Sequence, residues 1–155
     1  MNCDQFEFIA GNIIKEEIRR KHTHQLVKEA IENNVKTFSY YNYREILKPF
    51  LSQREIRKGE DELIAISIIL YHLNEDFLVI LDDAAARGFL EKNFPEPSRK
   101  VRGTVGFLKL CCCNYKILSK EKTILILNKI KNSKFRATEE VVERVIGDVG
   151  RCCDR

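Results

Sequence analysis

An unbroken apolar run at residues 77–81 constrains the fold of this chain more than any other feature of the sequence. An apolar run of this length without alternation is typical of a parallel strand that helices cover on both faces. The run ends at Asp82 and Asp83. Because ligands of open α/β sheets bind outside the carboxyl ends of the strands, we expect this acidic pair to lie at a functional edge.

Strand-like and helix-like segments alternate along the chain. β-Branched and aromatic residues predict strands at residues 6–10 and 35–41. Apolar residues recur at helical spacing in four segments, residues 12–31, 59–73, 84–92 and 103–113. A short helix is predicted from Asn42 towards Phe50, and two helices with the N-caps Ser119 and Thr138 close the chain. This order predicts an α/β fold of three layers, in which helices flank a mostly parallel sheet, with a helical C-terminal extension.

Length and composition favour a single domain that spans residues 1–155. The chain is 44% hydrophobic, which suffices for one compact core at this length, and its 7 Gly and 3 Pro form no linker-like stretch. We divide it at about residue 115 into an α/β core, 1–115, and C-terminal helices, 116–155. The longest nearly apolar run, residues 63–73, is roughly half of what crossing a bilayer requires. No signal-peptide pattern follows Met1, so we expect a cytoplasmic protein without a membrane partner.

Cysteine spacing bears on metal binding and on the redox state of the chain. Six cysteines are present: Cys3, Cys111, Cys112, Cys113, Cys152 and Cys153. None has the C-x-x-C spacing of a structural zinc site, and the side chains of the triplet would point about 100° apart on a helix. We therefore expect reduced thiols that serve as small core residues. The net charge of +4 is compatible with a polyanionic partner but does not identify one.

A second acidic group, Glu60, Asp61 and Glu62, opens the helix that precedes the apolar strand. A helix antiparallel to the following strand begins near the carboxyl end of that strand, so both acidic groups are expected at one edge of the sheet. Carboxylates gathered in this way repel each other unless a cation intervenes. Their oxygen atoms suit Mg²⁺ or Mn²⁺, whose natural chemistry here is phosphodiester hydrolysis. The alternative is structural: Asp83 caps the next helix and Asp82 is solvated.

Three segments, residues 59–66, 79–87 and 101–108, carry a family resemblance. They read Gly-Glu-Asp-Glu-Leu-Ile-Ala-Ile, Val-Ile-Leu-Asp-Asp-Ala-Ala-Ala-Arg and Val-Arg-Gly-Thr-Val-Gly-Phe-Leu. In order and spacing they resemble consecutive blocks of a PIN-like family of prokaryotic proteins, and residues 132–140 are similar to its closing segment. The resemblance implies four acidic residues around one or two metal ions and cleavage of single-stranded RNA. Many PIN domains act as toxins that an antitoxin protein inhibits.

The resemblance also assigns roles to the acidic residues. Glu17 matches the family's second acid, and the third and fourth come from the two acidic groups described above. We favour Glu62 and Asp83 for these positions, which makes Glu17, Glu62 and Asp83 the predicted catalytic residues. The predicted ligands of Mg²⁺ or Mn²⁺ are Glu17, Glu60, Asp61, Glu62, Asp82 and Asp83.

The family's first acid has no counterpart at the expected place. In the family it ends an N-terminal apolar strand, whereas Asp4 precedes the strand predicted at residues 6–10. Two interpretations follow from the sequence. Either the true start lies upstream of Met1, or the chain is a shortened relative with an incomplete metal site. In the second case it would be a catalytically impaired PIN-fold module that binds nucleic acid or protein.

Basic residues near the acidic groups complete the predicted site. Arg87, one helical turn past Asp83, is expected to hold a substrate phosphate, together with Arg99, Lys100 and Arg102, although a solvated face is the alternative. The resemblance implies single-stranded RNA and an antitoxin protein as partners, and a homodimer. Phosphate-loop, Ser-His-Asp and dinucleotide-binding motifs are absent, so the sequence supports no kinase, triad hydrolase or dehydrogenase.

Overall fold

The computed structural model describes residues 6–20, 24–38, 49 and 58–153. Within these ranges the chain is mostly helical. The strands are short: β1 (Phe8–Ala10), β2 (Val35–Thr37), β3 (Val79–Ile80) and β4 (Val101–Arg102). The helices are α1 (Asn12–Arg20), α2 (Gln25–Asn34), α3 (Lys58–His72), α4 (Ala84–Asn93), α5 (Pro95–Ser98), α6 (Thr104–Cys113), α7 (Lys120–Lys131) and α8 (Glu139–Cys153). The predictions for residues 39–41 and for a helix between Asn42 and Phe50 lie outside the description.

The described strands pair in parallel, as predicted. In the first pair, Phe8 of β1 faces Val35 of β2, and the register continues along both strands. In the second pair, the Val79 amide donates to the Lys100 carbonyl over 3.0 Å, and the Leu81 amide donates to the Arg102 carbonyl over 2.9 Å. Both partners advance by two residues in the same direction, which is the parallel pattern. The apolar run at residues 77–81 thus forms a shorter strand than its sequence predicts, because the β4 partner is only two residues long.

The chain folds as two compact units, and the first comprises Met1–Val79 and Asp83–Lys100. Its core is centred on α3, where Ile64 and Ala65 are fully buried. The apolar surface of α3 extends nearly all round the helix, and it packs against α1, α4 and α5. Other elements therefore cover this helix, as its apolar surface requires. The segment with helical spacing at residues 12–31 contains two helices, α1 and α2.

The second unit comprises Ile80–Asp82 and Val101–Arg155, and α6, α7 and α8 pack together in it. Its apolar core includes Val105 of α6, Leu127 of α7 and Val142 of α8. The predicted caps are confirmed at both C-terminal helices. The Ser119 hydroxyl accepts from the Lys122 amide over 3.2 Å, and the Thr138 hydroxyl accepts from the Val141 amide over 3.4 Å. These local hydrogen bonds fix where each helix begins.

A disulfide joins Cys113 of α6 to Cys152 of α8, with 5.6 Å between their Cα atoms. The prediction of reduced thiols is wrong for this pair. The packing of α6 on α8 brings together two residues that are 39 positions apart, which sequence spacing does not reveal. Cys111 and Cys112 are buried thiols, as predicted for small core residues.

Helix length also bears on membrane association. The two longest helices, α3 and α8, have 15 residues each. In the ranges that the structure describes, no helix is both long and apolar enough to cross a bilayer.

Candidate active site

Glu62 is fully buried, although it belongs to the group of acids that the sequence places at a metal site. Its side chain leaves α3 and reaches the N-terminus of α1. One carboxylate oxygen accepts from the Ile13 amide over 3.1 Å and the other accepts from the Ile14 amide over 2.9 Å. Since α1 has no acidic residue in its own first turn, Glu62 supplies both the acceptor and the negative charge that this helix end favours.

Gly11 provides the space for this carboxylate. A Cβ built at Gly11 would lie 1.8 Å from Cδ of Glu62, which no side chain could tolerate without displacement. Gly11 immediately precedes α1, so the missing side chain lets Glu62 reach the amides of the first turn. Position 11 therefore requires glycine for a close approach between a backbone and a side chain.

Glu17 makes the reciprocal contact from α1 to α3. Its Oε1 accepts from the Gly59 amide over 3.2 Å, at the first turn of α3. A Cβ on Gly59 would lie 3.0 Å from the other oxygen of Glu17, so glycine again makes room for a carboxylate. Each of the two helices thus provides a carboxylate that accepts from the N-terminal amides of the other. Two predicted catalytic residues, Glu17 and Glu62, therefore lie at the interface between α1 and α3.

Asp83 caps α4, in agreement with the structural alternative. Its Oδ1 accepts from the Ala86 amide over 2.9 Å, and its backbone is extended, as an N-cap requires. The other two acids of the first group, Glu60 and Asp61, lie half-buried in the first turn of α3. There the helix dipole favours their negative charges.

Asp82 belongs to the second unit and is bound to Thr104. One oxygen accepts from the Thr104 amide over 2.8 Å and the other accepts from the Thr104 hydroxyl. The structural alternative has Asp82 solvated; the side chain is partly exposed but also accepts these two hydrogen bonds, while Gly103 at the N-cap of α6 has no side chain that could do so. Thr104 is therefore not the cap of its helix but the donor to Asp82.

Four of the predicted metal ligands thus share one role: Glu17, Glu62, Asp82 and Asp83 each accept hydrogen bonds from the N-terminal amides of a helix. A carboxylate offers about four lone-pair positions, which can be shared between hydrogen-bond donors and a cation. Within residues 6–20, 24–38 and 58–153, no three acidic, histidine or cysteine side chains are gathered as ligands of one metal ion. The roles assigned to these acids stay predictions.

The predicted basic residues are placed separately. Arg99 pairs with Glu96 over 2.9 Å and Lys100 pairs with Asp76 over 3.2 Å, both at the surface. Arg102 donates to the carbonyl of its neighbour Val101. The amide of Arg87 donates to the Asp83 carbonyl over 3.0 Å, which fixes Arg87 one turn into α4. Their contact with RNA stays a prediction.

Sequence reasoning missed Gly11, Gly59 and Lys15. The two glycines carry a weak signal, since each stands within a residue of a helix start. Lys15 carries none: its ammonium group binds the Val35 carbonyl and, over 2.9 Å, the Thr37 hydroxyl. It lines a polar cleft of about 650 Å³ beside β1 and β2, in which none of the predicted metal ligands takes part.

Comparison with protein families finds one model that spans nearly the whole chain. The model of the PIN domain matches residues 5–151. No curated protein and no solved structure shows significant similarity to the chain. The match includes the segments that carry Glu17, Glu62, Asp82 and Asp83, together with the parallel strands and their flanking helices. The chain therefore belongs to the PIN-domain family.

Proposed function

We propose that this chain is a divalent-metal-dependent endoribonuclease of the PIN type, with Glu17, Glu62 and Asp83 as its catalytic carboxylates. The observation that carries the proposal is the burial of Glu62. A capping group for α1 could come from a local Ser, Asn or Asp at no cost in buried charge. This chain instead buries a carboxylate from another helix and keeps Gly11 free of a side chain to accommodate it.

The residues fit a hard divalent ion. Glu17 and Glu62 are carboxylates held by backbone amides, and carboxylate oxygens are the ligands that Mg²⁺ and Mn²⁺ prefer. PIN domains generally use divalent metals. Glu17, Glu62 and Asp83 would hold the ion, and Glu60, Asp61 and Asp82 are the other acids that the sequence predicts as ligands. When bound, such an ion polarises the phosphoryl group and lowers the pKa of its water.

The protein's own part in catalysis is to hold charge and geometry. Amides of Ile13 and Ile14 fix the orientation of the Glu62 carboxylate, and the Gly59 amide does the same for Glu17. Side chains held in this way need little reorganisation when substrate binds. Basic side chains, namely Arg87, Arg99, Lys100 and Arg102, would contact the RNA phosphates.

The proposal extends to the biological setting that a PIN ribonuclease implies. It includes a three-layer fold with a mostly parallel sheet, a homodimer and a cytoplasmic location. Single-stranded RNA is the substrate, and an antitoxin protein is the partner that would inhibit the enzyme as the toxin of a pair.

A second candidate is a PIN-fold module that binds RNA or protein without cutting. It is favoured by the hydrogen bonds of Glu62 and Asp82, in which both oxygens of each carboxylate already accept from protein groups. In that case the carboxylates serve helix capping alone. Metal-dependent cleavage distinguishes the two candidates.

The test is cleavage of a 5′-labelled single-stranded RNA in Mg²⁺, in Mn²⁺ and in EDTA. We expect the wild-type chain to cleave in either metal and to be inactive in EDTA. Asp83→Asn should lower the rate roughly 10- to 100-fold, as expected when a metal site is impaired. Asp76→Asn is the matched control, because Asp76 is fully exposed and lies at the surface of the same unit.

Two results would overturn the nuclease proposal. Equal rates in the wild type and in Asp83→Asn would show that the carboxylate plays no part in cleavage. Cleavage that persists at the same rate in EDTA would show that the activity does not depend on a divalent metal, which contradicts the proposal. Binding of the RNA without cleavage in any metal would favour the non-cleaving module.

A further inference from the structure

Positive charge is concentrated in residues 116–136. This stretch has a single acidic residue, Glu121, and seven basic ones: Lys116, Lys120, Lys122, Lys129, Lys131, Lys134 and Arg136. Its net charge of +6 exceeds the +4 of the entire chain, so the remainder of the chain is net negative. A basic stretch on an acidic background is the electrostatic pattern of a polyanion-binding surface.

Four lysines in this stretch, Lys116, Lys122, Lys129 and Lys134, are exposed. They form no ion pair with any residue in the described part of the chain. Lys131 provides the contrast, since its ammonium group lies 2.7 Å from both Glu139 and Glu143 of α8. The four lysines therefore keep their charge available for a partner, whereas that of Lys131 is used within the fold.

Helix geometry aligns part of this charge. Lys122 and Lys129 are seven residues apart on α7, so they lie on one face with roughly 10 Å between them along the axis. Leu125 lies between them and is 56% exposed. The opposite face, with Thr123 and Leu127, is buried in the second unit. The outward face of α7 is thus basic with an exposed apolar side chain at its centre.

Aromatic residues neighbour the first and the last of the four lysines in the sequence. Tyr115 precedes Lys116 in the turn before α7, and Phe135 follows Lys134 in the turn after it. They are 39% and 37% exposed. Proteins that bind single-stranded nucleic acids combine basic surfaces, which follow the backbone, with aromatic side chains, on which bases stack. Paired bases would not be accessible to such stacking.

We propose that this α7 surface, formed by Lys116, Lys122, Lys129 and Lys134 with Tyr115 and Phe135, binds single-stranded RNA. The lysines contact phosphates and the two aromatic rings stack on bases. None of its residues is among the basic residues assigned to the RNA phosphates under the proposed function, namely Arg87, Arg99, Lys100 and Arg102. The choice of RNA rests on the proposed function, whereas the single-stranded polyanion is inferred from the surface itself.

The test is binding of a fluorescein-labelled, unstructured 20-nucleotide RNA, followed by anisotropy in EDTA between 50 and 200 mM KCl. Replacing all four lysines of the surface by Gln should flatten the salt dependence. The slope of log affinity against log salt is negative. Its magnitude should decrease by roughly 0.7 for each phosphate that is no longer neutralised, or about 2 to 3 in total. Tyr115→Ala with Phe135→Ala should weaken binding roughly fivefold or more.

A charge-matched control keeps the test specific. Replacing Arg20, Lys28, Lys36 and Lys92 by Gln removes the same charge from the first unit, and its slope should stay close to that of the wild type. The proposal is wrong if the slope of the α7 variant equals that of the wild type, or if the control loses as much. Equal affinity for a DNA duplex, or binding to anionic vesicles but not to RNA, would also overturn it.

The measurement is independent of catalysis because EDTA suppresses metal-dependent cleavage. A chain that binds through the α7 surface but never cleaves would contradict the proposed nuclease function alone. A chain that cleaves in Mn²⁺ but whose salt slope is unchanged by the four substitutions would contradict the α7 proposal alone. Thermal unfolding followed by circular dichroism should show intact folding of every variant, since the substituted lysines of the α7 surface are exposed.

Discussion

The Glu62 carboxylate occupies the space beside Gly11 that a side chain would otherwise fill, with only 1.8 Å between Cδ and an ideal Cβ position. The two residues are far apart in sequence but lie on opposite sides of the interface between α1 and α3. Both oxygens of Glu62 are satisfied by amides of the helix that Gly11 introduces. A residue predicted from sequence as a metal ligand is therefore also part of the packing of the first unit.

Gly11→Ala tests this packing. The new methyl group would displace the buried carboxylate and break its two hydrogen bonds, so the free energy of unfolding should fall by about 3 kcal/mol. Gly88→Ala is the matched control, because nothing lies within 4 Å of its Cβ position on α4. That variant should gain about 0.5 to 1 kcal/mol from the helix propensity of Ala. Urea unfolding measures both, and equal effects would contradict the structure.

Asp82→Asn tests the hydrogen bonds that open α6. Asparagine keeps one acceptor but loses the charge and one of the two bonds to Thr104, so unfolding should become easier by about 1 to 2 kcal/mol. Asp76→Asn removes only a surface ion pair with Lys100 and should change stability by less than about 0.5 kcal/mol. If the two variants unfold alike in urea, Asp82 does not cap α6.

Local signals in the sequence predict the helix starts well. Asp83, Ser119 and Thr138 satisfy amides within three residues of their own positions, so their role depends only on nearby sequence. The apolar surface of α3 likewise predicts burial, because no arrangement of that helix leaves its Ile side chains in water without a cost.

Interactions between distant residues could not be predicted in the same way. Glu62 caps a helix that begins about 50 positions earlier, and Asp82 caps one that begins about 20 positions later. These caps depend on how helices pack, for which a single sequence carries no periodic signal. The lengths of β3 and β4 also depend on tertiary pairing, since a strand extends only as far as its partner does.

Reduction should destabilise the second unit. The Cys113–Cys152 disulfide closes a loop between residues 39 positions apart. Because the closed loop lowers the conformational entropy of the unfolded chain, the bond should stabilise the folded state by about 4 kcal/mol. Dithiothreitol should therefore lower the unfolding temperature of the wild type. In the Cys113→Ser, Cys152→Ser double variant the reductant should have no effect. A wild type that is insensitive to the reductant would show that the bond does not form or contributes nothing.

Acid should weaken the packing of α6 on α8. Hydrogen bonds from Lys109, and then from Arg151, lower the pKa of Asp148 below its ordinary value of 3.8. A lowered pKa in the folded state means that the stabilisation is present above pH 3.8 and is lost as the pH falls through the folded-state pKa. Between about pH 5 and 2 the wild type should therefore lose more stability than Asp148→Asn. If the unfolding temperatures of the wild type and of Asp148→Asn fall equally with pH, Asp148 does not have this role.

The claim that acids at the interface of α1 and α3 hold a divalent ion is tested most directly by Mn²⁺ binding, measured by electron paramagnetic resonance of the free ion. Glu17→Gln should weaken binding roughly 10-fold or more. Glu16→Gln, one position away on the same helix, removes an exposed carboxylate that pairs with Arg20 and should bind Mn²⁺ like the wild type. Equal affinity in Glu17→Gln and the wild type, or no binding by the wild type, would contradict the proposed metal site.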